Sequence, residues 1–181
     1  MNSLMINDGQ FGFRPQLSTD MAIFSLKQVV SYYRDRGTTV YACFLDLTRA
    51  FDTLNHKLLL AKMRRTDVHP EIVNLLEFWH RNQTNSVKWG GMYSGEYRLS
   101  CGVRQGGLTS PDLFNVYVND LIEELSCTPV GLRLDNRYVN NLSYADDMVL
   151  LSPSIKGLRK LIKICENFAK NHDLTYKVNV I

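Results

Sequence analysis

The sequence is poor in cysteine and shows none of the cysteine spacings that mark a metal or disulfide scaffold. Its 181 residues contain four cysteines, none of them in a Cys-x-x-Cys pair: Cys43, Cys101, Cys127 and Cys165. A structural zinc site needs closely spaced cysteines and histidines, and a disulfide framework needs a much higher cysteine density. We therefore predict four reduced, buried thiols.

Long apolar runs and a strong excess of one charge are missing as well. No stretch approaches the ~18 apolar residues of a membrane helix, and the opening segment MNSLMINDGQ lacks the basic and apolar regions of a signal peptide. These absences predict no membrane partner and a nuclear or cytoplasmic location. The formal charge of +3 permits a nucleic-acid partner without requiring one.

What is present is the patterning of an ordered domain that mixes helices and strands. Hydrophobic residues make up 45% of the chain, which is enough for a sizeable core. Apolar spacing predicts helices that begin near Ser18, Asn55, Pro70, Thr109 and Ser154. Strands are predicted over 38–47, in a hairpin over 85–100, in a strand and a second hairpin over 131–151, and over 175–181. From Thr38 onward, this order favours an α+β fold in which helices cover one face of an antiparallel sheet.

Two adjacent aspartates stand inside an otherwise apolar, strand-like run, NNLSYADDMVLL. We place Ala145, Asp146 and Asp147 in the turn of the second hairpin, and Asp46 near the end of the first predicted strand. In an antiparallel sheet these ends lie beside each other, so the three carboxylates are predicted to converge. Carboxylate oxygens are the ligands that Mg²⁺ prefers, and two such ions can stabilise an in-line phosphoryl transfer.

These aspartates have two other interpretations, a solvated hairpin tip and a receiver domain. Aspartate is common in turns, so the pair alone is more typical of a solvated hairpin tip than of a metal site. A receiver domain also gathers three aspartates around Mg²⁺, but there the acidic pair precedes the single aspartate. Here the pair follows Asp46 by a hundred residues, and this order argues against a receiver domain.

Four segments, in this order, resemble the motifs of reverse transcriptases, most of all those of non-LTR retrotransposons: GQFGFRPQLSTDMAI, YACFLDLTRAFDTLNHKLLL, CGVRQGGLTSPDLFNVYVNDL and YADDMVLL. The resemblance implies a polymerase palm with partial fingers and no thumb. Residues 1–37 would form partial fingers and the fingers-palm junction, and 38–181 the palm, with a helical fingers-side insertion near 55–83. The implied activity is that of an RNA-directed DNA polymerase, which extends a DNA primer on an RNA template with dNTPs, within a longer polyprotein.

The resemblance also assigns the catalytic residues. Asp46 and Asp146 match the metal-binding aspartates of the family, Asp147 matches their partner, and the carbonyl of Leu47 is a further candidate ligand. The implied ion is Mg²⁺, with Mn²⁺ as a substitute. The terminal hydroxyl of the primer would attack the α-phosphate of a bound dNTP.

The same match implies residues that contact the dNTP. Phe51 falls where the family places an aromatic gate against the ribose 2′-hydroxyl, and Gln105 and Gly106 fall in a turn beneath the nascent base pair. A core aromatic is the alternative for Phe51, and both roles are compatible. Asp52 and Asn55 are more typical of capping and packing residues than of metal ligands.

Contacts with nucleic acid are implied for a further set of residues: Arg14, Arg104, Gln105, Gly107 and Tyr144. Glycine permits close approach of the backbone to nucleic acid, and the Gln105 amide is suited to a hydrogen bond with the template strand. An ordinary glycine-rich helix entry is the alternative for the segment RQGG.

The final segment of the sequence, LTYKVNVI, departs from the family pattern. There the family usually shows an asparagine and, three residues later, a lysine that is a candidate general acid, whereas this sequence has Lys177 and Val180. The basic helix from Lys156 to Lys170 is either a solvated face or a nucleic-acid contact surface. The second hypothesis for the chain is therefore a catalytically incomplete or repurposed palm fragment that acts as a nucleic-acid-binding module.

Overall fold

A computed structural model of the chain describes residues 6–135 and 137–177. The helices of this part of the chain are α1 (Thr19–Arg34), α2 (Ala50–Thr53), α3 (His56–Met63), α4 (Pro70–Asn82), α5 (Ser110–Cys127) and α6 (Ile155–Asn171). The strands are β1 (Tyr41–Leu47), β2 (Thr84–Asn85), β3 (Lys88–Trp89), β4 (Met92–Tyr93), β5 (Tyr97–Arg98), β6 (Leu132–Leu134), β7 (Arg137–Val139), β8 (Asn141–Tyr144), β9 (Asp147–Ser152) and β10 (Tyr176–Lys177). An α+β architecture is thereby confirmed.

The central sheet has four strands in the order β10-β1-β9-β8, and every neighbouring pair is antiparallel. The longest pairing joins β1 to β9 and runs from Tyr41 opposite Ser152 to Asp46 opposite Asp147. Residues directly opposite each other in such a pair point their side chains to the same face of the sheet. The register therefore places two of the predicted carboxylates side by side.

A short segment before α1 extends this sheet beyond β8. The amide of Phe11 donates to the carbonyl of Ser143 at 2.8 Å, and the amide of Ser143 donates to the carbonyl of Gly9 at 2.8 Å. These two bonds form a parallel bridge centred on Gln10 and Ser143. The free edge of β8 is thus covered by the chain that leads into α1.

The two faces of the sheet carry separate hydrophobic cores. Because side chains alternate along a strand, Met148 and Leu150 of β9 face one core, and Val149 and Leu151 face the other. The first core is closed by α3, α5 and α6, whereas α1 closes the second through Val29. The helices α3, α5 and α6 thus cover one face of the sheet as expected, and α1, which precedes the sheet in the chain, packs on the other face because β9 is apolar on both sides.

Capping side chains begin four of the predicted helices: α1, α3, α4 and α6. The Ser18 hydroxyl accepts a hydrogen bond from the amide of Met21 at the start of α1. The Asn55 side chain accepts from the amides of Lys57 and Leu58 at the start of α3, as expected for an N-cap residue. Thr109 precedes α5 without a side-chain cap.

Some local expectations need correction. The segment over 131–151 forms two hairpins, β6–β7 and β8–β9, because Arg137–Val139 pairs with β6. The turn between β8 and β9 consists of Ala145 and Asp146 only, since Asp147 is already paired with Tyr144 as the first residue of β9.

The four cysteines differ in their exposure to solvent. All four cysteines are free; Cys165 is buried and Cys43 is half-buried, but Cys101 and Cys127 are exposed, contrary to the expectation of buried thiols. Within the described ranges, no helix is both long enough and apolar enough to cross a membrane. The predicted strand over 175–181 is seen as β10, and its remaining residues lie outside the described part of the chain.

Candidate active site

The sheet brings the three predicted carboxylates to one place. Asp46 and Asp147 are cross-strand partners at the end of the β1–β9 ladder, and Asp146 precedes Asp147 in the turn. The amide of Leu47 donates to the carbonyl of Asp146 at 3.4 Å, which ties the turn to the end of β1. The hairpin and β1 thus hold the acidic groups through backbone pairing.

The three carboxylates are close enough to influence each other's ionisation. Partial desolvation raises the pKa of the Asp147 carboxyl above its usual range, and the negative charges of Asp146 and Asp46 raise it further. Like charges this close oppose each other's ionisation. The arrangement is therefore one that a bound cation stabilises.

The donor set fits a hard divalent cation that is only partly held by protein. In the described part of the chain, no three Asp, Glu, His or Cys side chains form a group that could hold a metal ion by themselves. Magnesium in phosphoryl-transfer sites is commonly held by one or two carboxylates, and water and substrate phosphates complete its shell. Asp46 and Asp147, with Asp146 beside them, match that pattern.

Asp46 and Asp147 border a cleft of about 470 Å³ on the face of the sheet that α1 partly covers. Phe44, Tyr144 and Val149 line its floor, and Ile23 of α1 lines its wall. Phe44 is 60% exposed although it lies in the middle of the central sheet. An exposed aromatic side chain there leaves this face of the sheet open to a ligand.

Lys177 joins the site from the other side of β1. It pairs with Asp46 in the β1–β10 ladder and lines the same cleft. An ammonium group therefore shares the face of the sheet that carries the carboxylates. Val180, the other predicted departure from the family pattern, lies outside the described residues.

The loop with the sequence RQGG docks on the segment that follows β1. The amide of Gly102 donates to the carbonyl of Leu54 at 2.7 Å, and the amide of Val103 donates to the carbonyl of Phe51 at 2.7 Å. At Gly102 φ is +84°, and a Cβ there would lie 2.6 Å from the carbonyl oxygen of Asp52. Glycine is thus required where the two segments meet.

Beyond that junction the predicted contact residues are exposed. Gln105 donates through Nε2 to the Asp52 carboxylate at 3.2 Å, and Arg104 donates to the side-chain oxygen of Asn85 at 3.2 Å. Gly106 has φ of +77° with open space around it, whereas Gly107 approaches the Ser110 hydroxyl. The loop therefore presents Arg104, Gln105 and Gly106 to solvent, and their assigned contacts stay predictions.

Phe51 lies in an aromatic stack. Its ring stacks on that of Phe114 with centroids 5.0 Å apart and meets the ring of Phe13 edge-on at 6.1 Å. It also packs against the first core. The packing alternative for Phe51 is thus observed, and its role against the ribose 2′-hydroxyl stays a prediction.

Arg14 is engaged within its own segment. Its guanidinium donates to the carbonyls of Asn7 at 3.0 Å and Gln10 at 3.2 Å, and lies 3.6 Å from the Asp8 carboxylate. The predicted contact between Arg14 and nucleic acid is not tested by this geometry. These bonds stabilise the conformation of the segment that covers the edge of β8.

The predicted basic surface lies away from the carboxylates. The buried side of α6 packs into the first core, whereas Asp46 and Asp147 point to the other face of the sheet. The exposed cations of α6 are Lys156, Arg159, Lys160, Lys163 and Lys170. Lys163 is paired with Glu166 at 3.0 Å.

Sequence analysis did not single out Gln10, and it gave Asp52 a capping or packing role only. Gln10 is fully buried against the turn between β8 and β9, and the Asp52 carboxylate accepts a hydrogen bond from the Gln105 side chain. The pair Gln10 and Ala145 is separated by 135 positions, so local pattern cannot reveal it. A signal was nevertheless present, because Gln10 belongs to the first of the four resembling segments.

The sequence matches a family model described as "Reverse transcriptase (RNA-dependent DNA polymerase)" over residues 1–179. It is 30% identical over 122 residues to the retrovirus-related Pol polyprotein from the type-2 retrotransposable element R2DM of Drosophila melanogaster, covering 67% of this chain and 11% of that protein. It is 27% identical over 168 residues to the RNA-directed DNA polymerase from the mobile element jockey of the same species, covering 90% of this chain and 18% of that protein. The chain thus spans less than a fifth of the length of these two relatives.

Solved structures with a similar fold include two of telomerase from Candida tropicalis. One, in complex with a TWJ fragment of telomeric RNA, superposes with a TM-score of 0.68 over 93% of this chain and 30% of that chain at 12% identity. The other, an apo form truncated from its C-terminal domain, gives a TM-score of 0.65 over 95% of this chain and 37% of that chain at 15% identity. At these identities the likeness concerns the fold.

Proposed function

This chain belongs to the reverse transcriptase family, and from that premise we propose that it is the catalytic core of an RNA-directed DNA polymerase. The observation that carries the proposal is the register that sets Asp46 opposite Asp147, with Asp146 in the adjoining turn. Asp46 and Asp147 line an open cleft of about 470 Å³. The reaction is the transfer of a nucleotide from a dNTP to the terminal hydroxyl of a primer.

Nucleotidyl transfer assisted by divalent cations uses carboxylate side chains as metal ligands. A divalent cation, Mg²⁺ or in its place Mn²⁺, would be held by Asp46, Asp146 and Asp147 with the Leu47 carbonyl, and would supply the positive charge that activates the primer hydroxyl and neutralises the leaving pyrophosphate. The protein contributes fixed geometry, since all these residues belong to paired strands or the turn between them. Positioning and charge dominate catalysis of phosphoryl transfer.

Substrate contacts are assigned around this centre. Phe51, Gln105 and Gly106 would contact the dNTP, while Arg104, Gly107 and Tyr144 would contact the RNA template and the DNA primer. Tyr144 supports this arrangement because it lines the cleft beside Asp147. Arg14 would contact nucleic acid through guanidinium donors other than Nη1, which binds the carbonyls of Asn7 and Gln10.

The domain assignment is also a proposal. Residues 1–37 would belong to the fingers and the fingers-palm junction and 38–181 to the palm, with the helices near 55–83 on the fingers side. The relatives named as polyproteins are much longer than this chain, which supports further parts in the full protein. We place the activity in the nucleus or the cytoplasm, where RNA and dNTPs are found.

Primer extension tests the proposal. The chain is incubated with poly(rA), an oligo(dT) primer and dTTP, in Mg²⁺ and separately in Mn²⁺, and compared with its Asp146→Asn variant. We expect extension by the wild type and a loss of at least about 100-fold in the variant, the order seen when one preorganised electrostatic contact to the transition state is removed. The matched control is Asp67→Asn, an exposed aspartate away from the sheet. Equal extension by wild type and Asp146→Asn would contradict the proposal.

A second candidate function, a nucleic-acid-binding module, is favoured by one observation: the exposed cations of α6 lie on the side of the sheet away from the carboxylates. Phosphate contacts made by such a surface weaken steeply with salt. If this is the function, the variant with Lys156, Arg159 and Lys160 all changed to Gln loses RNA affinity and shows a shallower salt dependence. Asp46→Asn and Asp146→Asn then bind RNA as the wild type does, and no chain extends a primer.

A further inference from the structure

We propose that Gln10 is a positioning residue that fixes the backbone of the catalytic turn and thereby the direction of Asp146. The inference deepens the proposed function and rests on it, because it concerns the same carboxylates. Gln10 lies in the segment that covers the edge of β8, and its side chain is fully buried. The turn it reaches is the one between β8 and β9.

The Gln10 side chain binds the turn in the manner of a neighbouring strand. Its Oε1 accepts a hydrogen bond from the amide of Ala145 at 3.0 Å, and its Nε2 donates to the carbonyl of Ala145 at 3.3 Å. Oε1 also accepts from the amide of Gly12 at 2.9 Å. One side-chain amide therefore satisfies both backbone groups of Ala145 and fastens the turn to the covering segment.

The turn needs such an external brace because its backbone is strained. Ala145 has φ of +57°, a left-handed conformation that costs a residue with a Cβ about 1–2 kcal/mol. Strain of this kind persists only where surrounding contacts determine the conformation. Since Asp146 is the next residue, relaxation of Ala145 would redirect the Asp146 carboxylate.

The covering segment is itself held rigidly against the turn. A Cβ on Gly12 would lie 2.2 Å from the backbone nitrogen of Ala145, so the two backbones are in direct contact. The buried Asn115 of α5 donates to the carbonyl of Gly12 at 3.0 Å. Arg14 donates to the carbonyl of Gln10 at 3.2 Å. Asn115 of α5 and Arg14 thus fix the position of the covering segment, and Gln10 ties the turn to that segment.

The test compares the wild type with Gln10→Leu, which keeps a side chain of similar size and removes all three hydrogen bonds. We expect kcat for primer extension to fall by about 100-fold, as for a misplacement of reacting groups by about 1 Å, while KM for dTTP stays within a factor of about two. Leu161→Ala in α6 serves as the control, because it removes core packing on the opposite face of the sheet and lowers stability without touching the turn.

A second readout does not depend on activity. Hydrogen exchange of the Ala145 amide, followed by NMR, should speed up in Gln10→Leu by far more than in Leu161→Ala at equal global stability. Adding Ala145→Gly to Gln10→Leu should restore part of kcat, because glycine adopts positive φ without strain. The inference is overturned if exchange at Ala145 is the same in the two variants, or if the loss of kcat in Gln10→Leu is no greater than in Leu161→Ala.

The two readouts also separate this inference from the proposed function. If the wild type extends no primer, the proposed function fails, and the exchange of the Ala145 amide alone decides whether Gln10 holds the turn. If the wild type extends the primer and Gln10→Leu does so equally well, the proposed function stands and Gln10 has no positioning role.

Discussion

Phe51 shows at the scale of one residue how a packing role and a functional role can coincide. Its ring stacks on Phe114 and meets Phe13 edge-on, so its position is fixed by neighbours from α5 and from the segment before α1. A gate against a ribose 2′-hydroxyl needs such a fixed position, because a mobile ring would not exclude one oxygen atom. The stack therefore supports the predicted gate without testing it.

We predict that Phe51→Ala lowers both discrimination and stability. The ratio of kcat/KM for dTTP to that for UTP should fall by at least about tenfold, because about 1.4 kcal/mol of selective contact is removed. The free energy of unfolding should fall by about 2–3 kcal/mol, since a stacked, partly buried aromatic ring is deleted. Single-nucleotide incorporation and urea denaturation give the two quantities.

Phe78→Ala is the control for this prediction. Phe78 is an aromatic residue of α4 that is 66% exposed, so its removal should change neither quantity appreciably. If Phe51→Ala lowers stability but leaves the dTTP to UTP ratio unchanged, Phe51 is a core aromatic only.

At the scale of elements, a single buried lysine joins three helices on the first core. Lys62 of α3 places Nζ 2.6 Å from the carboxylate of Asp120 in α5. The same ammonium lies 5.6 Å from the ring centroid of Tyr117 in α5 and 5.0 Å from that of Phe168 in α6. Burial lowers the pKa of Lys62, and the bond with Asp120 partly opposes this shift.

We predict opposite outcomes for the two partners of this pair. Asp120→Asn should lower the free energy of unfolding by about 2 kcal/mol, because it leaves the Lys62 charge buried without a counter-charge. Lys62→Met should be close to neutral, since it replaces a desolvated charge by an apolar chain against two aromatic rings. Glu166→Gln, which breaks the exposed pair with Lys163, should change stability by less than about 0.5 kcal/mol. Equal losses for Asp120→Asn and Lys62→Met would contradict the argument.

The elements also show what a sequence can and cannot predict. The helices α1, α4, α5 and α6 follow from apolar spacing and starting signals, and β1 and β9 from their apolar, β-branched runs. The short strand β7 was missed, because three residues do not form a readable pattern. The packing of α1 on the second face of the sheet was not predicted, because β9 is apolar on both sides and periodicity alone does not say which helix covers which side.

The sequence could predict those parts of the site that lie at the ends of neighbouring strands. Asp46 and the pair Asp146 and Asp147 could be brought together from the order of strands, because antiparallel neighbours share an edge. The bond from Gln105 to Asp52 and the brace of Gln10 on Ala145 could not, because they join residues 53 and 135 positions apart through side-chain packing. Local propensity carries no information on such contacts.

At the scale of the whole molecule, stability should depend on pH through a buried histidine. His80 is 9% exposed, and neither of its ring nitrogens has a hydrogen-bond partner among the described residues. Its ring stacks on that of His56 with centroids 4.1 Å apart. Burial lowers the pKa of His80 from 6.5 to about 4, and the charge of His56 contributes to the shift.

The direction in which pH changes stability depends on whether the folded or the unfolded chain binds the proton of His80 more strongly. Below about pH 6.5 the unfolded chain protonates this imidazole, whereas the folded chain keeps it neutral until about pH 4. Acid therefore favours unfolding within this window, by about 3 kcal/mol at most for the full shift. His172 acts in the same direction, because burial lowers its pKa as well. Above about pH 6.5 neither histidine makes stability depend on pH.

The variant His80→Phe isolates the contribution of His80, because phenylalanine preserves the stacked ring and cannot be protonated. We expect its free energy of unfolding to fall less steeply than that of the wild type between about pH 6.5 and pH 4.5, as measured by urea denaturation. Phe78→Leu is the control, since Phe78 is an exposed, non-titratable residue of the same helix as His80 and its substitution should leave the wild-type slope unchanged. Parallel curves for wild type and His80→Phe would show that the imidazole is protonated in the folded chain. The charge would then have to be accommodated between α3 and α4, where the rings of His56 and His80 stack.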